Sequence, residues 1–444
     1  MPRAMHTGVA MDVPVFNSCM KIRNKHLHLN RIICCSSRTS NEAEANTGNK
    51  RVLILGATGR VGGATAKSLA KNCPNLQLVL AGRNREKGAE LAAELGANAE
   101  FCEVSHDNMK SLAAALNGVD LVVHTAGPFQ REEKCTVLET AISTKTAYID
   151  VCDDRRYSCL ARTFHEKAVA AGVPAITTAG IYPGVSSLMA AELVRLAKTG
   201  SSKGTQSEPE RLRFSYFTAG SGGVGPTILA TSYLLLGEEV IAYRKGKEFR
   251  VKPYSGALDV DFGKGVGKKS VFLMNLPEVG SAHEVLGVPT VSARFGTAPF
   301  IWNWAMSAVA NLVPADFLKN REKVQKLAEA TIPIVRAVDK FSGELMSMRV
   351  DLECTDGRKA VSIYSHKKLS ISVGIATAAF VRAVLEGSTQ PGVWFPEEPE
   401  GIAVEARKKL LEWASEGTIN FVMNRPPWMV ETGPKEIGFG LYIQ

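Results

Sequence analysis

Several things are scarce in this 444-residue chain. No apolar run approaches the roughly eighteen residues of a membrane-spanning helix, so no such span is expected. The nine cysteines form no C-x-x-C pair and no His/Cys cluster with zinc-ligand spacing, which argues against a disulfide framework and a structural metal; most read as buried thiols. Basic residues are dispersed and not interleaved with aromatics, so little supports nucleic-acid binding. Acids are nearly missing from the first forty residues, where Asp12 stands alone against Arg3, Lys21, Arg23, Lys25, Arg31 and Arg38. More than half of the net charge of +9 therefore sits there, and the rest of the chain is only mildly basic.

What is present fits a folded protein: 45% hydrophobic and 22% charged residues over this length imply a large core and more than one domain. The leader lacks a secretory apolar core and passes through Ile32-Ile-Cys-Cys-Ser-Ser-Arg38 before turning polar, the composition of an organellar transit peptide, placed here over residues 1–45. The Ile32–Arg38 run resembles the processing region of plant plastid precursors. The expected destination is thus the plastid stroma, with the mitochondrion as nearer rival and a plain disordered tail as the alternative.

Residues 46–198 read as a dinucleotide-binding domain. The branched run Arg51-Val-Leu-Ile-Leu55 leads into Gly56-Ala-Thr58-Gly59-Arg60-Val61-Gly62, and helical composition follows. Strand, glycine turn and helix bring backbone N–H groups and a helix N-terminus to a pyrophosphate. A second strand, Leu76 to Ala81, ends in Gly82-Arg83, where NAD-selective folds place an acid for the ribose hydroxyl. None is present. Arg83, with Arg60 in the turn, suits a 2′-phosphate, so the cofactor expected is NADP(H), against the plainer reading of Arg83 as a solvated turn residue. Further strands end at Ala126-Gly127-Pro128, Asp150 and Ala179-Gly-Ile-Tyr182-Pro-Gly184, giving six strand–helix repeats. The fold class expected is α/β: a Rossmann-type doubly wound parallel sheet, with ligands at the carboxyl ends of its strands.

After a polar stretch at 199–209 the pattern changes. Alternating runs at 211–217, 241–243, 249–251, 270–274, 290–295, 348–354 and 359–364 predict an inserted α+β domain over 199–370 with a mostly antiparallel sheet, its clearest hairpin turning at Asp356-Gly357. Helices are expected over 226–236 and 315–340, the latter broken at Pro333. Residues 371–444, with helices at 372–386 and 403–416, are expected to return to the first domain.

Taken together, Gly56-x-x-Gly59-x-x-Gly62, Ala81-Gly-Arg83, Ala126-Gly-Pro128, Tyr148-x-Asp150, Ala179–Gly184 and Gly392-Val-Trp-Phe-Pro-Glu397 resemble the saccharopine reductase (saccharopine dehydrogenase-like) family of NADP-dependent oxidoreductases, over roughly residues 50–400. The resemblance implies a nucleotide domain, an inserted domain that binds substrate and often dimerises, and hydride transfer between NADPH and a C=N bond, with an activated C=C bond in some relatives. It allows a homodimer and a small-molecule substrate. The loop at 218–226 departs from the pattern of saccharopine-specific enzymes, which puts saccharopine itself in doubt.

Candidate cofactor contacts are Gly56, Thr58, Gly59, Arg60, Val61, Gly62, Arg83, Ala126, Gly127 and Pro128; candidate catalytic residues are Asp150 and Tyr182. Tyr148 and Asp150 are read on opposite faces of the fifth strand, with Asp150 orienting an amine or water, or else capping the next helix. Tyr182, in a Gly/Pro loop, is the proton-donor candidate, against a ring packed at the domain junction. Arg294 is read as an interdomain salt bridge sooner than a clamp on a substrate carboxylate, Cys152 as a buried thiol, and Trp302 and Trp304 as a core or dimer-interface helix. The Tyr–Lys pairs Tyr243/Lys247 and Tyr364/Lys368 have the spacing of short-chain dehydrogenases but fall in strand–turn regions, which rules against that class. A dinucleotide-binding regulator without turnover shares every first-domain motif and stands as the alternative.

Overall fold

The computed structural model describes residues 49–199, 207–220, 226–432, 436–437 and 441–442. The transit-peptide reading of residues 1–45 and part of the 199–209 and 218–226 segments lie outside the described residues.

The first sheet is built from β1 (Arg51–Leu55), β2 (Gln77–Gly82), β3 (Ala99–Glu103), β4 (Leu121–His124), β5 (Ala147–Asp150) and β6 (Pro174–Ile176). Between them run α1 (Arg60–Asn72), α2 (Arg85–Leu95), α3 (Met109–Ala115), α4 (Thr136–Ser143), α5 (Arg155–Arg162) and α6 (His165–Ala171). Strand β1 shows why these runs are apolar throughout: Val52 and Ile54 enter the core on one face, Leu53 and Leu55 the core on the other. A parallel sheet covered on both faces leaves no polar side for alternation. Asn84, Asn108 and Asp154 start α2, α3 and α5 by accepting backbone N–H groups, as short polar N-caps do.

Helix α7 (Val185–Thr199) leads to the second sheet: β7 (Pro209–Ala219), β8 (Val240–Arg244), β9 (Lys247–Val251), β10 (Leu258–Asp261), β11 (Lys268–Leu273), β12 (Thr290–Ala298), β13 (Leu345–Cys354) and β14 (Lys359–His366). Interleaved helices are α8 (Pro226–Leu236), α9 (Pro277–Leu286), α10 (Ile301–Leu312), α11 (Ala315–Leu318) and α12 (Arg321–Ser342). The pairings are antiparallel except β7 with β12. Pro333 does not break α12; the interruption falls earlier, where Asn320 caps a new helix by accepting from Lys323 N–H.

Helix α13 (Leu369–Leu385) then packs on α1 so closely that a Cβ on Gly374 would stand 2.5 Å from the Ala64 Cβ. Strand β15 (Gly392–Trp394) joins β6, giving the parallel order β15-β6-β5-β4-β1-β2-β3. After α14 (Val404–Ala414), β16 (Asn420–Arg425) does not stay with that sheet; it pairs with β14 on the second one. One apolar core runs from Val52 and Ile54 through α7 to Phe214 and Tyr216, so it continues from the first sheet to the second. Among the described residues no helix is long and apolar enough to cross a membrane, and no group of three or more His, Cys, Asp or Glu is placed to hold a metal ion.

Candidate functional site

The site begins where β1 gives way to α1. Gly56 has φ +89°, and a Cβ there would stand 2.8 Å from the Ala126 nitrogen. A Cβ on Gly62 would collide with the Gly56 carbonyl oxygen and lie 2.6 Å from Thr125 Oγ1. These glycines let the turn, α1 and the end of β4 approach one another more closely than any side chain permits. Gly59 caps α1 without a side-chain oxygen and no acid lies in the first turn, so nothing anionic competes for the helix N-terminus. Gly56 to Gly62 and Ala126 to Pro128 therefore face each other at the point where strand order reverses.

Thr58 lies over the end of β2, its hydroxyl 3.2 Å from where a Cβ on Gly82 would be. Arg83 follows on an exposed turn with no acid in its place. Val61 is half-buried in the first turn of α1. A cleft of about 750 Å³ opens beside the turn, lined by Thr58, Gly59, Arg60, Lys87 and Lys368 among others. Arg83 is not among its lining residues, whereas Lys87, one turn into α2, is. The sequence signal for Lys87 was its place three residues after the Asn84 cap. His124, at the end of β4, is kept neutral: burial pushes its pKa down to about 3, with His106 adding repulsion.

The two catalytic candidates, Asp150 and Tyr182, have different surroundings. Asp150 is 0% exposed. Its Oδ1 accepts from Thr178 N–H (2.8 Å), Cys152 N–H (3.0 Å) and the Thr177 hydroxyl (3.1 Å), and Oδ2 accepts from the Tyr148 hydroxyl (2.9 Å). Tyr148 and Asp150 thus share a face, as residues two apart on a strand must; the expectation of opposite faces is corrected. Burial raises Asp150 to about 6 against the lowering effect of these donors. The next helix is capped not by Asp150 but by Asp154, which accepts from Tyr157 N–H at 2.7 Å. Cys152 is buried and its pKa pushed well up, an unreactive setting for a thiol.

Tyr182 is half-buried and stacks on Tyr216 of β7, ring centres 4.8 Å apart. Burial, then Asp153, then Glu278 push its hydroxyl pKa up, so it stays protonated at neutral pH. Asp153 and Glu278 were not singled out in the sequence. Gln130 donates to Asp153 Oδ1 at 2.6 Å and accepts from Thr231 of α8 at 3.2 Å. Glu278 of α9 is 1% exposed; its Oε1 accepts from the hydroxyls of Tyr216 (2.7 Å) and Ser186 (3.1 Å). Two ion pairs, Arg131–Glu238 at 3.2 Å and Arg321–Glu132 at 2.8 Å, also fasten the loop after Pro128 to the inserted domain.

Among the described residues Arg294 makes no interdomain salt bridge; it donates within its own domain to the Gly256 carbonyl (3.1 Å) and to Ser292 Oγ (3.2 Å), which its position inside β12 dictates. Trp304 is 66% exposed while Trp302 is half-buried. The Tyr364 hydroxyl is spent on the Ala414 carbonyl at 2.9 Å.

Fold and site together define a two-domain protein with a dinucleotide turn at the switch point of a parallel sheet. Residues 52–176, which include that turn, match the family model of the saccharopine dehydrogenase NADP binding domain. The fold is similar to that of apo histidine-tagged saccharopine dehydrogenase (L-Glu forming) from Saccharomyces cerevisiae: TM-score 0.60 over 85% of this chain and 99% of that one, at 15% identity. The family match lies in the nucleotide domain, and the structural match shows the fold. Pen from Bacillus thuringiensis (18% identity, 23% of this chain and 39% of that one) and a short chain dehydrogenase/reductase family protein (16%, 30% and 74%) overlap at TM-scores of only 0.21 and 0.25, too low to bear on the question. No curated protein matches the sequence.

Proposed function

We propose that the chain is an NADP-dependent oxidoreductase of the saccharopine dehydrogenase type, moving a hydride between NADPH and a C=N, or activated C=C, bond of a small molecule. The observation that carries this is the glycine cradle, filled by any Cβ at Gly56 or Gly62, in a domain matching an NADP-binding family model. The cradle fits the cofactor: Gly59 to Gly62 for the pyrophosphate, Thr58, Arg60 and Arg83 for the 2′-phosphate, Ala126 to Pro128 along the other half. NADPH, when bound, supplies the hydride. Tyr182 holds a proton and is the donor to the reduced product. Asp150 acts as a positioning residue, tying the ends of β5 and β6 so that the Tyr182 loop leaves the sheet at a fixed angle.

The uncharged and exposed Phe300, Ile301, Trp304 and Leu312 on and beside α10 favour a homodimer through the inserted domain. The basic leader favours delivery to the plastid stroma. NADPH consumption across candidate acceptors tests the reaction. Tyr182→Phe is expected to lower kcat by about 100-fold or more with NADPH affinity unchanged. A cofactor that binds but is never consumed would favour the regulator reading.

A further inference from the structure

We propose that two lysines clamp the dinucleotide from either side of α1, Lys87 on the 2′-phosphate and Lys368 on the pyrophosphate, so that the returning end of the chain helps to hold the cofactor; this rests on the reductase reading above. The cleft of about 750 Å³ beside the glycine turn has three walls. Helix α1 gives Gly59 and Ala64, α2 gives Lys87 and Leu91, and the start of α13 gives Lys368 and Ile371. Helix α2 lies over β2 and β3, α13 over β4 and β5, and α1 between them over β1 and β2.

Both ammonium groups are available. Among the described residues neither makes an ion pair or a hydrogen bond, whereas Lys67 and Lys71, farther along α1, are paired with Glu94 and Glu416. Their backbones, by contrast, are fixed. Lys87 N–H is held by Asn84 Oδ1 and Lys368 N–H by His366 Nδ1, each at 2.9 Å. A Cβ on Gly88 would overlap the Phe101 ring, so α2 is seated on β3 at the residue after Lys87. A lysine rooted in this way gives up only side-chain freedom when it meets an anion. Of the cleft's four carboxylates, Glu94 and Glu416 are paired as above and Glu344 accepts from Leu369 N–H at 3.1 Å; Glu90, a turn farther along α2, is the fourth.

The place of each lysine sets which phosphate it meets. A dinucleotide crosses the start of α1 with its pyrophosphate at the helix terminus and its adenosine ribose over the end of β2. Lys87, on the helix that follows β2, is on the ribose side; Lys368, where α13 begins, is on the β4 side. An ammonium gains much from a phosphate dianion and little from a ribose hydroxyl. Lys87 therefore adds to the preference for NADPH, while Lys368 strengthens NADPH and NADH alike, since both carry the pyrophosphate.

Fluorescence titration of the full chain with NADPH and with NADH tests this in wild type, Lys87→Met and Lys368→Met. Both lysines are exposed, so the variants should fold, and an unchanged melting temperature checks that they do. Lys87→Met should raise the NADPH Kd about tenfold or more and leave the NADH Kd within about twofold, and Lys87→Arg should restore NADPH binding. Lys368→Met should raise both Kd values by a common factor of about ten. Equal losses of the two cofactors in Lys87→Met, a loss confined to NADPH in Lys368→Met, or no loss in either variant overturns the proposal and leaves the reductase reading standing. Wild-type protein that binds neither cofactor overturns both.

Discussion

Asp150 offers the sharpest separation between a residue that reacts and one that holds the fold. Its carboxylate collects two backbone N–H groups and two hydroxyls in a fully buried place. In Asp150→Ala the hydroxyls can turn elsewhere, but the Cys152 and Thr178 amides cannot. Two orphaned buried donors cost about 2–6 kcal/mol. Asp150→Asn keeps Oδ1 for three of the donors and leaves Tyr148 to reverse its bond, so the loss should be about 1 kcal/mol. Charge adds a pH signature. The folded pKa of about 6 lies above the ordinary 3.8, so the folded state holds its proton longer. Stability from this group is complete below pH 4, falls as pH rises toward 6, and is flat above; the total is on the order of 3 kcal/mol. Asparagine cannot titrate, so its deficit relative to wild type should shrink or reverse between pH 4.5 and 7.5. Urea unfolding at both pH values, alongside kcat, is the assay. A parallel pH dependence in the two proteins, or a hundredfold loss of kcat in a fully stable Asp150→Asn, would refute the positioning role.

Gly62→Ala drives a methyl into the Gly56 carbonyl and Thr125, so it should abolish NADPH binding or folding, whereas Gly63→Ala, whose Cβ meets Ala57 O only at 3.2 Å, should keep affinity within a few-fold in fluorescence titration. Glu397, on the loop after β15, is buried with an unpartnered oxygen and raised by that burial to about 7. A raised carboxyl loses its stabilising share as pH climbs from about 4.5 to 7, here on the order of 3 kcal/mol. Glu397→Gln should accordingly flatten the melting temperature against pH and melt higher than wild type at pH 8; a slope identical to wild type would contradict this.

The glycine turn was readable because its requirements are local: a strand, glycines at fixed intervals and a helix, with the missing acid after β2 counted along the chain. The doubly wound order followed from six repeats for the same reason. Side-chain roles near the sheet's edge were not readable. Asp150 is consumed by Thr177 and Thr178, just past the end of the neighbouring strand β6, and Asp153 acquires its setting from Gln130, Tyr182 and Glu278, the last brought in by the inserted domain. Pro333 inside α12 and β16 crossing to the second sheet are tertiary outcomes: packing against α8 and pairing with β14 outweigh the local signals.

The central claim is that this turn holds a 2′-phosphorylated dinucleotide, and parallel titration of the full chain with NADPH and NADH tests it most directly. The account predicts at least about tenfold tighter binding of NADPH, the advantage falling in Arg83→Ala by roughly the 1.5–3 kcal/mol of a charge-assisted contact. Equal affinity for the two cofactors, or an NADPH preference untouched by that substitution, would contradict it.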